Sequence, residues 1–195
     1  MYIYSVKAIK NHTKKKTIFY KERSEIKRAD YSEILRQHAT DKLVYIDESG
    51  IDKFISREHG WSARGARIIG SVSGKRYARE SFIAGQLKNK IIAPLCYTGT
   101  CDSILFNFWL ETFLLPALGP GYVLIMDNAA FHKSETTRLL IEQAQCQLLF
   151  LPAYSPDLNP IEKFWANLKS KIKNIISQCL SLADAVDWAF RDAII

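Results

Sequence analysis

Two hydrophobic periods alternate along this chain. Four-residue apolar runs, Leu43 to Ile46 and Val123 to Met126, each end on an acidic residue, Asp47 and Asp127, and read as buried strands. Two further strands are expected over Ala78 to Ala84 and Ile91 to Tyr97, joined through GQLKNK, so that three strands close in sequence predict an antiparallel meander. Period-2 alternation sends Asp47 and Glu48 to opposite faces, so at most one of them shares a site with Asp127 directly. A last strand is expected from Cys146 to Leu151.

The helical stretches differ in how much of their circumference is apolar. Glu22 to His38 has helix-forming composition but only a rough stripe, suited to a connector packed on one edge of a core or to the tail end of a domain encoded elsewhere. Asp102 to Leu115 is apolar nearly all round, which predicts a helix buried on most sides with its aromatic residues in the core. A short helix is expected from Ser134 to Ala144. After the turn PAYSPDLNP come helices from Pro160 to about Ile176 and from Leu182 to Ile194. The first of these places Ile161, Phe164, Trp165, Leu168, Ile172, Ile175 and Ile176 on one face, with Glu162, Ala166, Lys169 and Lys173 along its border.

Three strands, helix, strand, helix, strand and closing helices make an α/β layered domain: a mixed sheet, three antiparallel strands then two parallel, flanked by helices on both faces. That order is the order of the ribonuclease H-like fold. The expected organisation is a basic connector over 1–42, a ribonuclease H-like α/β domain over 43–180 and a C-terminal helix over 181–195.

Composition narrows the class. With 195 residues, 48% of them hydrophobic, the chain is long enough for one sizeable core. No uncharged apolar run is long enough for a membrane span, no secretory leader is recognisable, and a cytoplasmic protein with no membrane partner is expected. Cys96, Cys101, Cys146 and Cys179 form no C-x-x-C pair and read as buried reduced thiols.

The formal charge of +7 is unevenly spread. Residues 1–42 hold 11 Lys/Arg against 5 Asp/Glu, and residues 53–90 hold 9 against 2, whereas residues 91–195 hold 7 against 10. Basic segments around acidic ones fit a polyanion laid over a cation site, or an ordinary solvated surface. The candidate polyanion contacts are Lys14, Lys15, Lys16, Arg64, Arg67, Lys75, Arg76, Lys169 and Lys173.

Asp47, Asp127 and Glu162 sit on separate rigid elements, and their oxygen ligands suit Mg²⁺ or Mn²⁺, with few Cys or His nearby to favour zinc. Each has a plainer role as well. An acidic residue commonly ends a strand, and Asn159, Pro160 and Glu162 make a capping box with Pro at the first helical position. Asn128 and His132 add polar groups where ligand sites of α/β sheets lie; Asn128 reads as an outer partner of the site, and His132 as an outer partner, a phosphate contact or a structural residue. Two cations about 3.5 to 4 Å apart would serve phosphodiester cleavage.

At these residues the sequence resembles a family. VYIDESG, LIMDNAAFH and LPAYSPDLNPIEKFWANLK are similar to the three catalytic segments of DDE transposases of the mariner superfamily, in particular the bacterial branch around insertion sequence 630. Asp127 and Glu162 are separated by 34 residues, the spacing typical of that group. The resemblance covers roughly residues 15–180. It implies that Asp47, Asp127 and Glu162 are a metal-binding triad holding two Mg²⁺ or Mn²⁺ ions, that DNA ends and target DNA are the partners, and that copies assemble when ends are brought together in the bacterial nucleoid. Members carry N-terminal helix-turn-helix regions, and this chain begins just before the catalytic segments, so it is expected to pair with an upstream half or to be a truncated copy. A catalytically silent DNA-binding remnant and a nuclease for RNA hybrids or junctions are the competing readings.

Overall fold

The structure is a computed structural model describing residues 20–52 and 79–194. The turn-rich basic segment with Arg64, Arg67, Lys75 and Arg76, together with Lys14, Lys15 and Lys16, lies outside the described residues. The chain forms a five-stranded sheet in the order β3-β2-β1-β4-β5. Its strands are β1 (Leu43–Asp52), β2 (Arg79–Leu87), β3 (Lys90–Thr98), β4 (Val123–Met126) and β5 (Gln147–Phe150). The first three pair antiparallel, and β4 and β5 join parallel to β1, which gives the mixed sheet expected.

β1 departs from expectation in length. DESGID does not end it, because β2 pairs along its whole second half, from Asp47↔Ala84 to Asp52↔Arg79. Gly50 permits this close pairing, since a Cβ there would stand 2.8 Å from the Arg79 side chain and 3.1 Å from the Glu80 carbonyl oxygen. On its other side β1 pairs with β4 only as far as Tyr45↔Ile125. The two strands therefore part just before Asp47 and Asp127, opening a crevice at the carboxyl end of β4 where α/β sheets bind ligands.

Helices cover both faces. On one, Ile51, Phe82 and Ala84 pack beneath α4 (Ile161–Ile175) and α5 (Leu182–Ile194), with Trp165 5.1 Å from Phe82 and α5 burying Leu182, Ala185, Val186, Ala189 and Phe190. On the other, Val44, Ile46, Leu124 and Met126 meet α2 (Ser103–Trp109) and α3 (Glu135–Gln143). At the edge of the first face, α1 (Glu25–Arg36) buries Tyr31 against Leu43, Val123, Ile125 and Leu151. Its Arg28 donates two hydrogen bonds, of 3.0 and 2.6 Å, to Asp157 in the turn before α4.

α2 is the clearest correction. Phe106, Trp109, Leu110 and Leu114 are fully buried, but Ile104 is 79% and Phe108 52% exposed, and Phe113 is exposed as well. A helix laid on one face of a sheet can bury only one side, and this one loosens after Trp109 into a π turn, Leu110–Leu114, before Pro116 ends it in a 3₁₀ turn. The thiols are free as expected, yet only Cys146 is buried; Cys96 is exposed, and Cys101 and Cys179 are half-buried. Among the described residues no helix is long and apolar enough to cross a membrane.

Candidate active site

Asp47 lies within β1, two residues beyond the last pair with β4, and its alternation turns it to the α4 face. There the Trp165 indole Nε1 donates to its Oδ2 at 3.0 Å. Burial, and then the negative charges of Glu162, Glu48 and Asp127, push the Asp47 carboxyl up to about 8, against the pull of the Trp165 hydrogen bond. A partly buried carboxyl crowded by three others has no cationic partner among the described residues.

Asp127 follows the last residue of β4. Its Oδ1 accepts from the Ala129 backbone N–H at 2.9 Å and from His132 Nδ1 at 2.8 Å. The His132 bond holds this carboxyl below the usual carboxylate range despite partial burial. His132 is 1% exposed, its ring set between Phe106 and Phe131 with centroids 4.5 and 4.3 Å away. Its Nε2 stands 3.0 Å from Glu48 Oε1. Burial disfavours the imidazolium, but the hydrogen bonds and charges of Asp127 and Glu48 outweigh it and raise the group to about 9, so both ring nitrogens carry protons at neutral pH and donate.

Glu162 occupies the first turn of α4 and is exposed. The expected capping box does not form. Pro160 takes the cap position in helical conformation with no side-chain hydrogen bond, and the Glu162 N–H bonds the Asn159 backbone carbonyl at 3.3 Å. Asn159 turns inward instead, 5% exposed, with its Oδ1 lacking a partner among the described residues. No described residue bonds the Glu162 carboxylate, which leaves that side chain available to the cleft beside it.

The cleft has a volume of about 450 Å³ and is lined by Asp47, Asp127 and Glu162 together with Asn128, Tyr154 and Asn159. Thus the three carboxylates named from sequence share one opening. Among the described residues no three His, Cys, Asp or Glu side chains are gathered into a ready-made metal cage. The donor set nonetheless suits a hard divalent cation. All its ligand atoms are carboxylate oxygens, Asp47 and Asp127 each have one oxygen pinned by a protein donor and the other without a partner among the described residues, and the crowding at Asp47 calls for positive charge.

Asn128 braces this site: its side-chain Nδ2 donates to the Leu151 carbonyl at 2.6 Å, tying the end of β4 to the end of β5. Lys169 and Lys173 lie on α4, half-buried and exposed respectively. Sequence reasoning missed Glu48 and the Trp165 hydrogen bond. The alternation of β1 sends Glu48 away from the α4 face, and only the fold shows that His132 carries it back to Asp127.

The family model described as "DDE superfamily endonuclease" matches residues 42–182. The Tc1 transposase of Caenorhabditis elegans is 28% identical over 149 residues, covering 69% of this chain and 53% of that protein. The Tcb1 transposase of Caenorhabditis briggsae is 33% identical over 81 residues, 40% of this chain and 30% of that protein. The chain spans about half the length of the Tc1 transposase it matches. Among solved structures, the Mos1 strand transfer complex superposes with a TM-score of 0.66 at 16% identity, over 95% of this chain and 64% of that one. The mariner Mos1 paired-end complex with Mg gives 0.66 at 20% identity, over 82% and 53%. At such identities the structural likeness is one of fold, the ribonuclease H-like arrangement. With a family match that runs through Asp47, Asp127 and Glu162, the chain belongs to the DDE superfamily endonucleases and is a homologue of the Tc1/mariner transposases.

Proposed function

We propose that this chain is the catalytic portion of a transposase, cleaving DNA strands at element ends and joining them to target DNA, with Asp47, Asp127 and Glu162 holding Mg²⁺ or Mn²⁺, as two ions. The observation that supports the reading is the one cleft that all three carboxylates line, where Asp47 is pushed up to about 8 by burial and by its acidic neighbours. Divalent cations there would offset the carboxylate charge, activate the attacking water or 3′-hydroxyl and stabilise the leaving oxygen of a phosphodiester. The chain's own contribution is positional: Trp165 and His132 each fix one oxygen of an aspartate.

The reading extends to partners. Element-end and target DNA lie across the cleft, with Lys169 and Lys173 of α4 and the basic residues Lys14, Lys15, Lys16, Arg64, Arg67, Lys75 and Arg76 contacting phosphates. Residues 1–42 link to a helix-turn-helix half supplied upstream, 43–180 form the catalytic domain and 181–195 its C-terminal helix. Copies assemble when two ends are brought together, in the cytoplasm at the nucleoid of a bacterium, within the insertion sequence 630 branch. The test is incubation of purified protein with labelled element-end DNA and Mg²⁺ or Mn²⁺ beside an Asp127→Asn variant. Metal-dependent nicking by the wild type alone is expected, and equal nicking by both proteins sinks the assignment.

A further inference from the structure

Glu48 stands next to Asp47 in the chain but on the opposite face of β1, its carboxylate 3.0 Å from His132 Nε2. We propose that Glu48 is a positioning residue that sets the orientation of the Asp127 carboxylate through the His132 ring. The inference rests on the reading that Asp127 holds a divalent cation.

Three observations carry it. Asp127 lies beyond the end of β4, so no strand pairing restrains it, and its side chain is 55% exposed. What restrains it among the described residues is a pair of hydrogen bonds, from Ala129 N–H and His132 Nδ1, both landing on Oδ1 and leaving Oδ2 without a described partner. Next, an imidazole can aim a hydrogen bond only if its own ring is fixed. Phe106 and Phe131 limit the tilt of the His132 ring, and rotation about the ring's attachment is stopped by the contact at its far nitrogen, which Glu48 supplies. Finally, Glu48 is itself anchored, because it belongs to a strand position paired with Ile83 of β2 in the middle of the sheet. The orientation of Asp127 is thus referred, through one ring, to the central strand of the sheet. Partners of this kind, which orient a ligand without touching the cation, typically contribute about 10- to 100-fold in metal affinity.

The experiment is Mn²⁺ titration of the full chain by calorimetry, with thermal melting of the same samples, for wild type, Asp127→Asn, Glu48→Ala, Glu48→Gln and Glu48→Asp. Glu48→Ala is expected to weaken Mn²⁺ binding about tenfold or more. Glu48→Gln, whose side-chain carbonyl still accepts from Nε2–H, is expected to recover most of that loss. Glu48→Asp keeps the charge but falls one methylene short of the ring, so it is expected to weaken binding and serves if the alanine variant does not fold. A role confined to folding lowers the melting temperature and leaves the Mn²⁺ affinity of the folded protein unchanged; Glu48→Ala or Glu48→Asp binding within twofold of wild type, while Asp127→Asn has lost binding, overturns the proposal alone. Asp127→Asn binding Mn²⁺ as tightly as wild type overturns the cation reading and this inference with it.

Discussion

The Trp165 indole and the Asp47 carboxylate are joined by a 3.0 Å hydrogen bond that links α4 to β1 beside the cleft. The same indole packs against Phe82, Phe164 and Phe190, so one residue serves both the core and the site.

Trp165→Phe separates the two roles. The ring packing is largely kept while the donor is lost, and Asp47 is expected to move further above about 8. Unfolding in urea should show a loss of about 1 to 3 kcal/mol, larger at pH 9, where wild-type Asp47 is ionised and the bond is charge-assisted, than at pH 6. An equal loss at both pH values would mean that the bond carries no special weight.

The raised group at Asp47 makes the metal-free protein sensitive to alkali. Its folded carboxyl holds a proton up to about 8, whereas the unfolded one releases it near its ordinary value of 3.8. Between these limits the native state binds more protons, so stability is greatest on the acid side and falls by up to about 1.4 kcal/mol per pH unit as pH rises, levelling above the folded value. His132, raised to about 9 from 6.5, acts in the same direction between those values. Melting curves with chelator from pH 5 to pH 9 should slope downward for wild type and less for Asp47→Asn, which should be the more stable protein at pH 8. Mn²⁺ should raise the melting temperature of wild type at pH 8 and not of Asp47→Asn; a flat profile for wild type refutes the account.

Arg28 and Asp157 fasten α1 to the turn before α4 through two hydrogen bonds. Because Asp157 is half exposed, a double-mutant cycle with alanine at both positions should give a coupling of about 1 kcal/mol or less, falling with salt. A coupling that does not respond to salt would contradict an ion pair open to solvent.

Gly85 is required by packing. A Cβ at this position would meet side-chain carbons of Ile92, Leu114 and Val44, all at 3.1 Å and belonging to a buried layer. Gly85→Ala is expected to cost about 1 to 3 kcal/mol in chemical denaturation, with the fold retained. A neutral or stabilising change would show that this layer relaxes freely.

What the sequence made legible was local pattern. The run Val123 to Met126 is fully buried as its composition implies, and α4 buries Ile161, Trp165, Leu168 and Ile172 on the side its periodicity marks. Asp47, Asp127 and Glu162 were visible as acidic residues at the edges of such patterns, and they line one cleft. Non-local effects were hidden. The extension of β1 past DESGID depends on a partner strand beginning at Arg79, the exposed side of α2 depends on which face meets the sheet, and the inward turn of Asn159 depends on Pro160 having taken the cap. Glu48 was hidden by a correct rule, since alternation does send it to the other face and the detour through His132 exists only in three dimensions.

The parting of β1 from β4 leaves the carboxylates unequally free. Asp47 is gripped by a paired strand and an indole, and Asp127 by a loop amide and an imidazole, while no described residue bonds the Glu162 carboxylate. The site thus has a fixed jaw and a swinging jaw. With Trp165, Leu168 and Ile172 holding the α4 backbone in the core, the swing belongs to one side chain. Loading the proposed centre would then freeze the rotamers of a single glutamate, an entropic cost of about 1 to 2 kcal/mol, while the sheet stays as it is.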